Sequence, residues 1–287
     1  MNLGDFFANL LGGSGKVDLW KRFERLREST SGTMSSFYKV RDLKTGQVLG
    51  LKVVDPAKAA PVESRYKALG KPSEGEIGQK LAGPNIVRTL EWGTATTGAP
   101  FIVQEFVDGV LLHSLIAAGK PFTPGQRVNL VRQAATAIAA VHAAGFVHRD
   151  ICPRNFILQP ADGRLVLIDF GLTVPDKPAF LQPGNRVGTP NYMAPEVIRR
   201  RQADKRLDIF SFGITAYEIC TGTAPWPRGK DGKAALAHDT PPADIRGHWP
   251  DIPPALAAAI MSCLEAEPDR RPNSMDRFLA AISGVQA

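Results

Sequence analysis

Residues 148–155 read HRDICPRN, and a second aspartate, Asp169, follows in DFG fourteen positions after Asn155. Two carboxylates and an amide at this spacing suit phosphoryl transfer from a magnesium nucleotide. Magnesium takes hard oxygen ligands in octahedral geometry and usually only one or two carboxylates, leaving its other positions to phosphates and water. Asn155 and Asp169 can supply those oxygens, and Asp150 is then left to accept a proton from an attacking hydroxyl. A hairpin must carry them: the runs NFIL (155–158) and LVLIDFG (165–171) read as strands joined by a turn at Asp162-Gly163.

Around this hairpin the pattern divides the chain in two. From Phe23 to Phe106 it is strand-rich. YKVRDLKTGQVLGLKVVD reads as a hairpin turning at Lys44-Thr45-Gly46, one helix is expected over roughly 61–82, and a buried strand over 101–107. After Asp108-Gly109 the chain is mainly helical. LVRQAATAIAAVHAAG (130–145) is its clearest helix, closed by Gly145, and further helices are expected at about 208–221, 254–266 and 274–283. The implied class is α+β, with a small antiparallel-sheet lobe (23–107) carrying one main helix and a larger mainly helical lobe (108–283). The junction near Glu105 to Asp108 is expected to form a cleft. Ahead of this domain, residues 1–22 read as an amphipathic segment and linker: Leu3, Phe6, Phe7, Leu10 and Leu11 recur at helical spacing before GGSG. That face suits a helix docked on its own domain better than a membrane or partner tether, because it lacks basic residues.

Composition narrows the classes. With 287 residues, 44% hydrophobic and 22% charged, the chain has material for a sizeable core and is neither disordered nor fibrous in type. A net charge of +7 is compatible with a polyanionic ligand. The densest basic run, RRRQADKR (199–206), reads as a solvated helix face rather than a nucleic-acid patch, so no nucleic acid is expected as partner. Three cysteines far apart indicate neither a disulfide framework nor a zinc site, and favour a reducing compartment. The sequence has no uncharged apolar run of membrane-spanning length, and its first residues lack the positive region of a secretory signal, so a cytoplasmic location is expected.

The motifs together resemble the protein kinase superfamily, in particular bacterial serine/threonine kinases of the eukaryotic-like type. They occur in family order: Lys52 in LGLKVV, HRD at 148–150 with Asn155, DFG at 169–171, GTPNYMAPE at 188–196, DIFSFG at 208–213 and RRP at 270–272. The resemblance implies a two-lobed kinase fold, ATP and Mg2+ as cofactors and protein substrates. It also implies roles by position. Lys52 holds the α and β phosphates and pairs with a helix glutamate, Glu74 or, failing that, Glu76. Asp150 is the base, Arg149 positions the catalytic loop, and Asn155 and Asp169 bind the metal. Gln104 falls at the gatekeeper, Glu105 to Val107 at the adenine hinge, and Gly50 and Ile157 beside the base. Glu196 pairs with Arg271, and Asp208 braces the His148-Arg149 backbone.

The departures from the family pattern are informative. Alignment on GxGxxG puts Thr30, Gly32 and Ser35 at the three glycine positions, so hydroxyls replace two of the residues that let backbone N–H groups approach phosphates. Cys152 stands where serine/threonine kinases carry a lysine, and a thiol cannot replace that cation; Arg154, four residues after Asp150, is the expected substitute. Gly50 replaces the usual alanine and is expected to loosen the contact with adenine. The segment 174–188 holds no Ser, Thr or Tyr, while Pro175, Pro178 and Pro183 stiffen it, so activity is not expected to depend on a phosphate there. GTPNYMAPE favours Ser or Thr acceptors over Tyr. The rival reading is a pseudokinase scaffold that binds nucleotide weakly and signals by docking; against it, Lys52, Asp150, Asn155 and Asp169 are all present. A small-molecule kinase is disfavoured by the APE segment and the helices beyond it.

Overall fold

The structure, a computed structural model, describes residues 16–27, 30–32, 34–119, 122–184, 186–227 and 236–286, with only the backbone of Thr30 and Ser31. The amphipathic stretch 3–11 lies outside the described residues. Two compact units are present: one runs to Ala82 and resumes over Val87–Asp108, and the other combines Gly83–Ile86 with Gly109 onward.

The first unit is built on an antiparallel sheet of β1 (Phe23–Arg25), β2 (Thr30–Ser31), β3 (Ser35–Asp42), β4 (Val48–Val54), β5 (Thr89–Thr94) and β6 (Pro100–Glu105). The strand order is β1-β3-β4-β6-β5, with β2 on β3. Register decides which residues share a face, because directly opposed residues point the same way. Tyr38, Leu51 and Val103 align across β3, β4 and β6, as do Val40 and Leu49, and these side chains form the buried core with Leu19, Phe23 and Phe101. Phe37, Lys52 and Ile102 align on the opposite face, next to Lys39, Gly50 and Gln104.

The segment before Phe23 is part of this unit from Val17 onward. Val17 N donates to Thr94 O (3.0 Å), and the short helix α1 (Leu19–Arg22) buries Leu19 in the core. Its Arg22 forks onto Glu91 (2.8 Å to both oxygens) and onto Asp42 (3.0 and 3.2 Å).

The single helix expected over 61–82 is instead three pieces. Helix α2 (Pro56–Glu63) is capped by Asp55 and carries Pro61 inside it, a 3-10 turn follows over Ser64–Leu69, and Gly70 turns left-handed at φ +63°. Helix α3 (Glu74–Lys80) then starts afresh on a capping box between Ser73 and Glu76. It lies close on β5: a Cβ at Gly75 would stand 2.4 Å from Trp92 Cβ, and one at Gly78 2.3 Å from Thr89 Oγ1.

The second unit is helical around α7 (Arg206–Thr221), in which every residue from Leu207 to Cys220 is buried, the mark of a central rather than an amphipathic helix. Preceding it are α4 (Leu112–Ala117), the long α5 (Pro124–Ala143) capped by Thr123, and α6 (Pro195–Ile198). After it come α8 (Pro254–Cys263) and α9 (Met275–Ala281). Helix α5 thus begins six residues ahead of the expected start. Its end agrees, with Gly145 at φ +81° just past the last turn. Two small antiparallel ladders are set among the helices. One is β7 (Val110–Leu111) with β9 (Phe156–Leu158) and β10 (Leu165–Leu167), and the other pairs β8 (Phe146–Val147) with β11 (Val174–Pro175).

The basic run 199–206, expected as a helix face, lies instead in the turn and irregular stretch between α6 and α7, with Arg206 alone helical; Arg199 meets Asp239, Arg201 lies 3.9 Å from Glu267, and Arg206 binds Asp204 and Asp269 (2.8 and 2.7 Å).

Arg271 fastens this unit internally. All five of its guanidinium N–H groups are used: two on Glu196 (2.8 Å each) and three on the carbonyls of Glu265, Ala266 and Arg206 (2.8–3.0 Å). The Arg271 side chain is 0% exposed and that of Glu196 4%. Removing one member of such a pair strands a buried charge, so Arg271→Ala should cost about 3–5 kcal/mol in urea unfolding. Arg271→Lys should recover little of this, because an ammonium offers three donors in the wrong geometry. An unfolding midpoint like that of the unaltered chain in either variant would contradict this account.

Candidate active site

In the first unit Lys52 projects from β4 toward α3, and its Nζ lies 2.5 Å from Glu74 Oε1. Both side chains are largely buried, so the charges hold each other in a setting that screens them less than open water does. Glu76 is engaged elsewhere: its carboxylate accepts from Ser73 N (2.7 Å) and Ser73 Oγ (2.8 Å), and these bonds lower its pKa below the ordinary carboxylate value. The sequence S-x-x-E is itself a capping-box signature, a signal that could have removed Glu76 from the candidates at the outset.

The glycine-poor loop forms a hairpin in which Thr30 pairs with Phe37 and Ser31 with Ser36, and Gly32 N donates to Ser35 O (2.8 Å). Gln104 is buried next to Gly50 in the β4–β6 ladder. Glu105 ends β6; its N donates to Arg88 O (2.9 Å) and its carboxylate accepts from Arg88 N (3.0 Å). Val107, two residues on, is 7% exposed.

In the second unit the acidic residues converge. Strand β8 delivers His148, Arg149 and Asp150 into a turn in which Arg149 adopts φ +71°, a left-handed conformation unfavourable for a side chain with a Cβ. The fully buried Asp208, in the first turn of α7, holds that turn. Its two oxygens accept from His148 N (2.8 Å) and Arg149 N (2.7 Å), and His142 Nε2 lies 2.9 Å away. Burial alone would raise the Asp208 pKa; the bond and charge of His142, with the charge of His148 and the amide of Arg149, outweigh it and hold the group ionised, below its usual value. Burial keeps the His148 imidazole below its ordinary pKa, so it sits neutral, with Nδ1 accepting from Asp150 N (3.3 Å) and the ring edge-on to Phe170 (5.7 Å).

The Asp150 carboxylate is aimed by three donors. Thr189 gives both its N (2.8 Å) and its Oγ1 (2.7 Å) to Oδ1, and Asn155 Nδ2 reaches Oδ2 (3.0 Å) and the Asp150 carbonyl (2.7 Å). Thr189 comes this close because Gly188 precedes it: a Cβ there would lie 2.5 Å from Arg149 O, at a φ of +118°. Asn155 directly precedes β9, and Ile168 follows β10. The bond from Ile168 N to Asn155 O (3.0 Å) closes that end of the hairpin, so Asn155 and Asp169 emerge side by side. Asp169 Oδ1 accepts from Gly171 N (2.9 Å). Ile157 is half-buried on β9, opposite Leu111 and Val166. Arg154 is exposed on the 3-10 turn Pro153–Asn155.

Cys152 is 1% exposed with Sγ 3.7 Å from Thr189 Oγ1; burial first, and then the charge of Asp150, push its pKa up to about 12. Burial and the raised pKa disfavour the thiolate, the form a redox switch would need. Cys220 and Cys263 are likewise buried, free and raised. Sequence reasoning missed Thr189: its two bonds to Asp150 depend on a fold-back of the segment over the His148–Asp150 turn that no local pattern announces.

Comparison with known proteins gives the family. The sequence profile described as Protein kinase domain matches residues 23–280. The chain is 31% identical over 265 residues to serine/threonine-protein kinase pkn3 of Myxococcus xanthus, covering 88% of this chain and 48% of that protein. It is 30% identical to PknD of Mycobacterium tuberculosis, covering 87% of this chain and 37% of PknD. It is also 30% identical to PknB of Mycolicibacterium smegmatis, covering 84% of this chain and 39% of PknB. The chain therefore spans less than half the length of these curated relatives. With the profile matched from the first strand to the last helix and the ordered motifs folded as described, the chain belongs to the protein kinase family.

Proposed function

We propose that this chain is an ATP-dependent protein kinase that transfers the γ-phosphate to serine or threonine hydroxyls of protein substrates. The observation that carries the reading is the Asp150 carboxylate, fixed by Thr189 and Asn155 beside Asp169 in the second unit. Three of the relatives with this organisation of sequence are named serine/threonine-protein kinases.

In this reading Asp150 accepts the proton of the acceptor hydroxyl as its oxygen attacks. The bonds from Thr189 and Asn155 orient the carboxylate. Asn155 Nδ2 faces Asp150, which turns its Oδ1 the other way. That amide oxygen and the Asp169 carboxylate form a hard donor set of the kind magnesium takes. Magnesium, when bound, neutralises charge on the phosphates. In the first unit Lys52, held extended by Glu74, pairs with the α and β phosphates, Gly32, Thr30 and Ser35 lie along them, and the Glu105–Val107 backbone recognises adenine beside Gly50; Ile157 contributes apolar contact to the base. Arg154, exposed on its turn, supplies the positive charge that Cys152 cannot. Three buried, free thiols suit a reducing, cytoplasmic location.

Regulation follows from the same bonds. No hydroxyl lies between 174 and 188, the Thr189 hydroxyl is occupied by Asp150, and Thr173 is 0% exposed. The catalytic turn is therefore set without a phosphate on this segment.

Two outcomes are expected. Asp169→Asn should lower phosphate transfer from [γ-32P]ATP to generic Ser and Thr acceptors by at least about a hundredfold while leaving the thermal midpoint within a few degrees; retained turnover would refute the metal role, and a wild-type chain that transfers nothing would return the pseudokinase reading. Chain treated with a broad-specificity phosphatase should transfer phosphate at an unchanged initial rate. A loss of activity that recovers on preincubation with ATP would contradict the phosphate-independent arrangement.

A further inference from the structure

The Asp150 carboxylate can take a proton only from a hydroxyl within hydrogen-bond reach, and its Oδ1 is already bonded by Thr189. A protein presenting that hydroxyl must therefore pass beside Thr189 and the residues that follow it. Those residues form a 3-10 turn, Pro190–Tyr192, leading into α6, and they are held from two sides. The central helix α7 supplies one side: Ser211 Oγ donates to Tyr192 O (2.7 Å), and Tyr192 Oη donates to Glu218 Oε2 (2.7 Å). The other side comes from residues 237–240, beyond that helix. His238 Nδ1 lies 2.8 Å from Met193 O, and Asp239 pairs with Arg199 just past α6. His238 is 2% exposed, its ring 4.7 Å from that of Trp226 and 5.4 Å from that of Phe210. Burial lowers its pKa below the ordinary imidazole value, so the ring is neutral and carries one hydrogen. A carbonyl only accepts, which places that hydrogen on Nδ1. The ring is itself fixed, because Trp226 Nε1 donates to Thr240 O (3.0 Å) while Thr240 N and Oγ1 donate to Ala237 O (2.9 and 2.7 Å).

We infer that His238 is a positioning residue for the protein acceptor: its bond to Met193 O fixes the strip Thr189–Met193 against which the acceptor chain lies. The inference rests on the phosphate-transfer reading above and deepens it. The bonds from α7 act on Tyr192, so the carbonyl of Met193 depends on His238 for its orientation. Without that donor the Met193 peptide is free to rotate, while the two bonds from Thr189 to Asp150 remain. The loss then falls on the seating of the acceptor and not on ATP or on the aim of Asp150. The competing explanation is a histidine that fills space between two aromatic rings, with no part in seating the acceptor. The two differ in what they do to transfer onto a protein and to transfer onto water.

The test assays the full chain with myelin basic protein as acceptor and, separately, for hydrolysis of magnesium ATP without acceptor, where water takes the phosphate. His238→Phe keeps a ring between Phe210 and Trp226 and removes the donor; it should raise the KM for the acceptor protein about tenfold and leave the KM for ATP and the hydrolysis rate within about twofold. Asparagine places its amide nitrogen where Nδ1 stands, and glutamine places it nearer Nε2. His238→Asn should therefore return the acceptor KM to within about threefold of the unaltered chain, and His238→Gln should not. Should the phenylalanine variant fail to fold, the comparison of Asn with Gln decides the question by itself. An unchanged acceptor KM in His238→Phe, a parallel fall in transfer and hydrolysis, or equal behaviour of the Asn and Gln variants would overturn the inference while leaving the kinase reading standing. An unaltered chain that neither hydrolyses ATP nor transfers phosphate would remove both.

Discussion

One buried carboxylate carries much of this molecule's second unit. Asp208 sits fully buried in the first turn of the central helix, where an unpaired charge would be prohibitive, and it stays ionised because two consecutive backbone amides and a histidine converge on it. The compensation runs both ways. Arg149 occupies a left-handed conformation that costs on the order of 1–3 kcal/mol, and hydrogen bonds from its amide and that of His148 to a charged acceptor contribute roughly 1.5–3 kcal/mol each, enough to offset that strain. The turn so stabilised sets where Asp150 emerges, where the Arg149 carbonyl meets the backbone at Gly188, and therefore where Thr189 can reach Asp150. A chain of short contacts thus links the first turn of α7 to the Asp150 carboxylate.

The first unit solves a different problem with less burial. Its glutamate must reach Lys52 from a helix of only seven residues, Glu74–Lys80. A short helix has little stability of its own, and two devices secure it: the Ser73–Glu76 capping box at its start, and the glycines at 75 and 78 that let it lie directly on Trp92 and Thr89 of β5. The ion pair is the consequence of that docking.

How much of this was legible in the sequence depended on distance along the chain. The hairpin carrying Asn155 and Asp169 could be read because both side chains, its strands and its turn lie within a span of fifteen residues, and because the chemistry proposed for them restricts which side chains can serve. The Lys44-Thr45-Gly46 turn and the helix ending at Gly145 were legible for similarly local reasons. The helix expected over 61–82 was not, since apolar spacing there outweighed Pro61 and Gly70, whose backbone restrictions break it into three pieces. The bonds from Thr189 to Asp150 were invisible: they arise from a fold-back of the segment at Gly188 that leaves no periodic trace. Cys152 was readable as a missing lysine, but the raised pKa of its thiol follows from burial beside Asp150, which only coordinates reveal.

The central claim is that the carboxylate of Asp208 sets the catalytic turn. Asparagine at this position keeps the shape but offers one acceptor oxygen for two amides and turns a donor toward one of them. The most direct measurement is the kcat of phosphate transfer by folded Asp208→Asn. The account predicts a fall of about a hundredfold or more with near-unchanged KM for ATP, because the loss falls on the aim of Asp150 and not on Lys52. A folded Asp208→Asn chain turning over at the rate of the unaltered protein would contradict it.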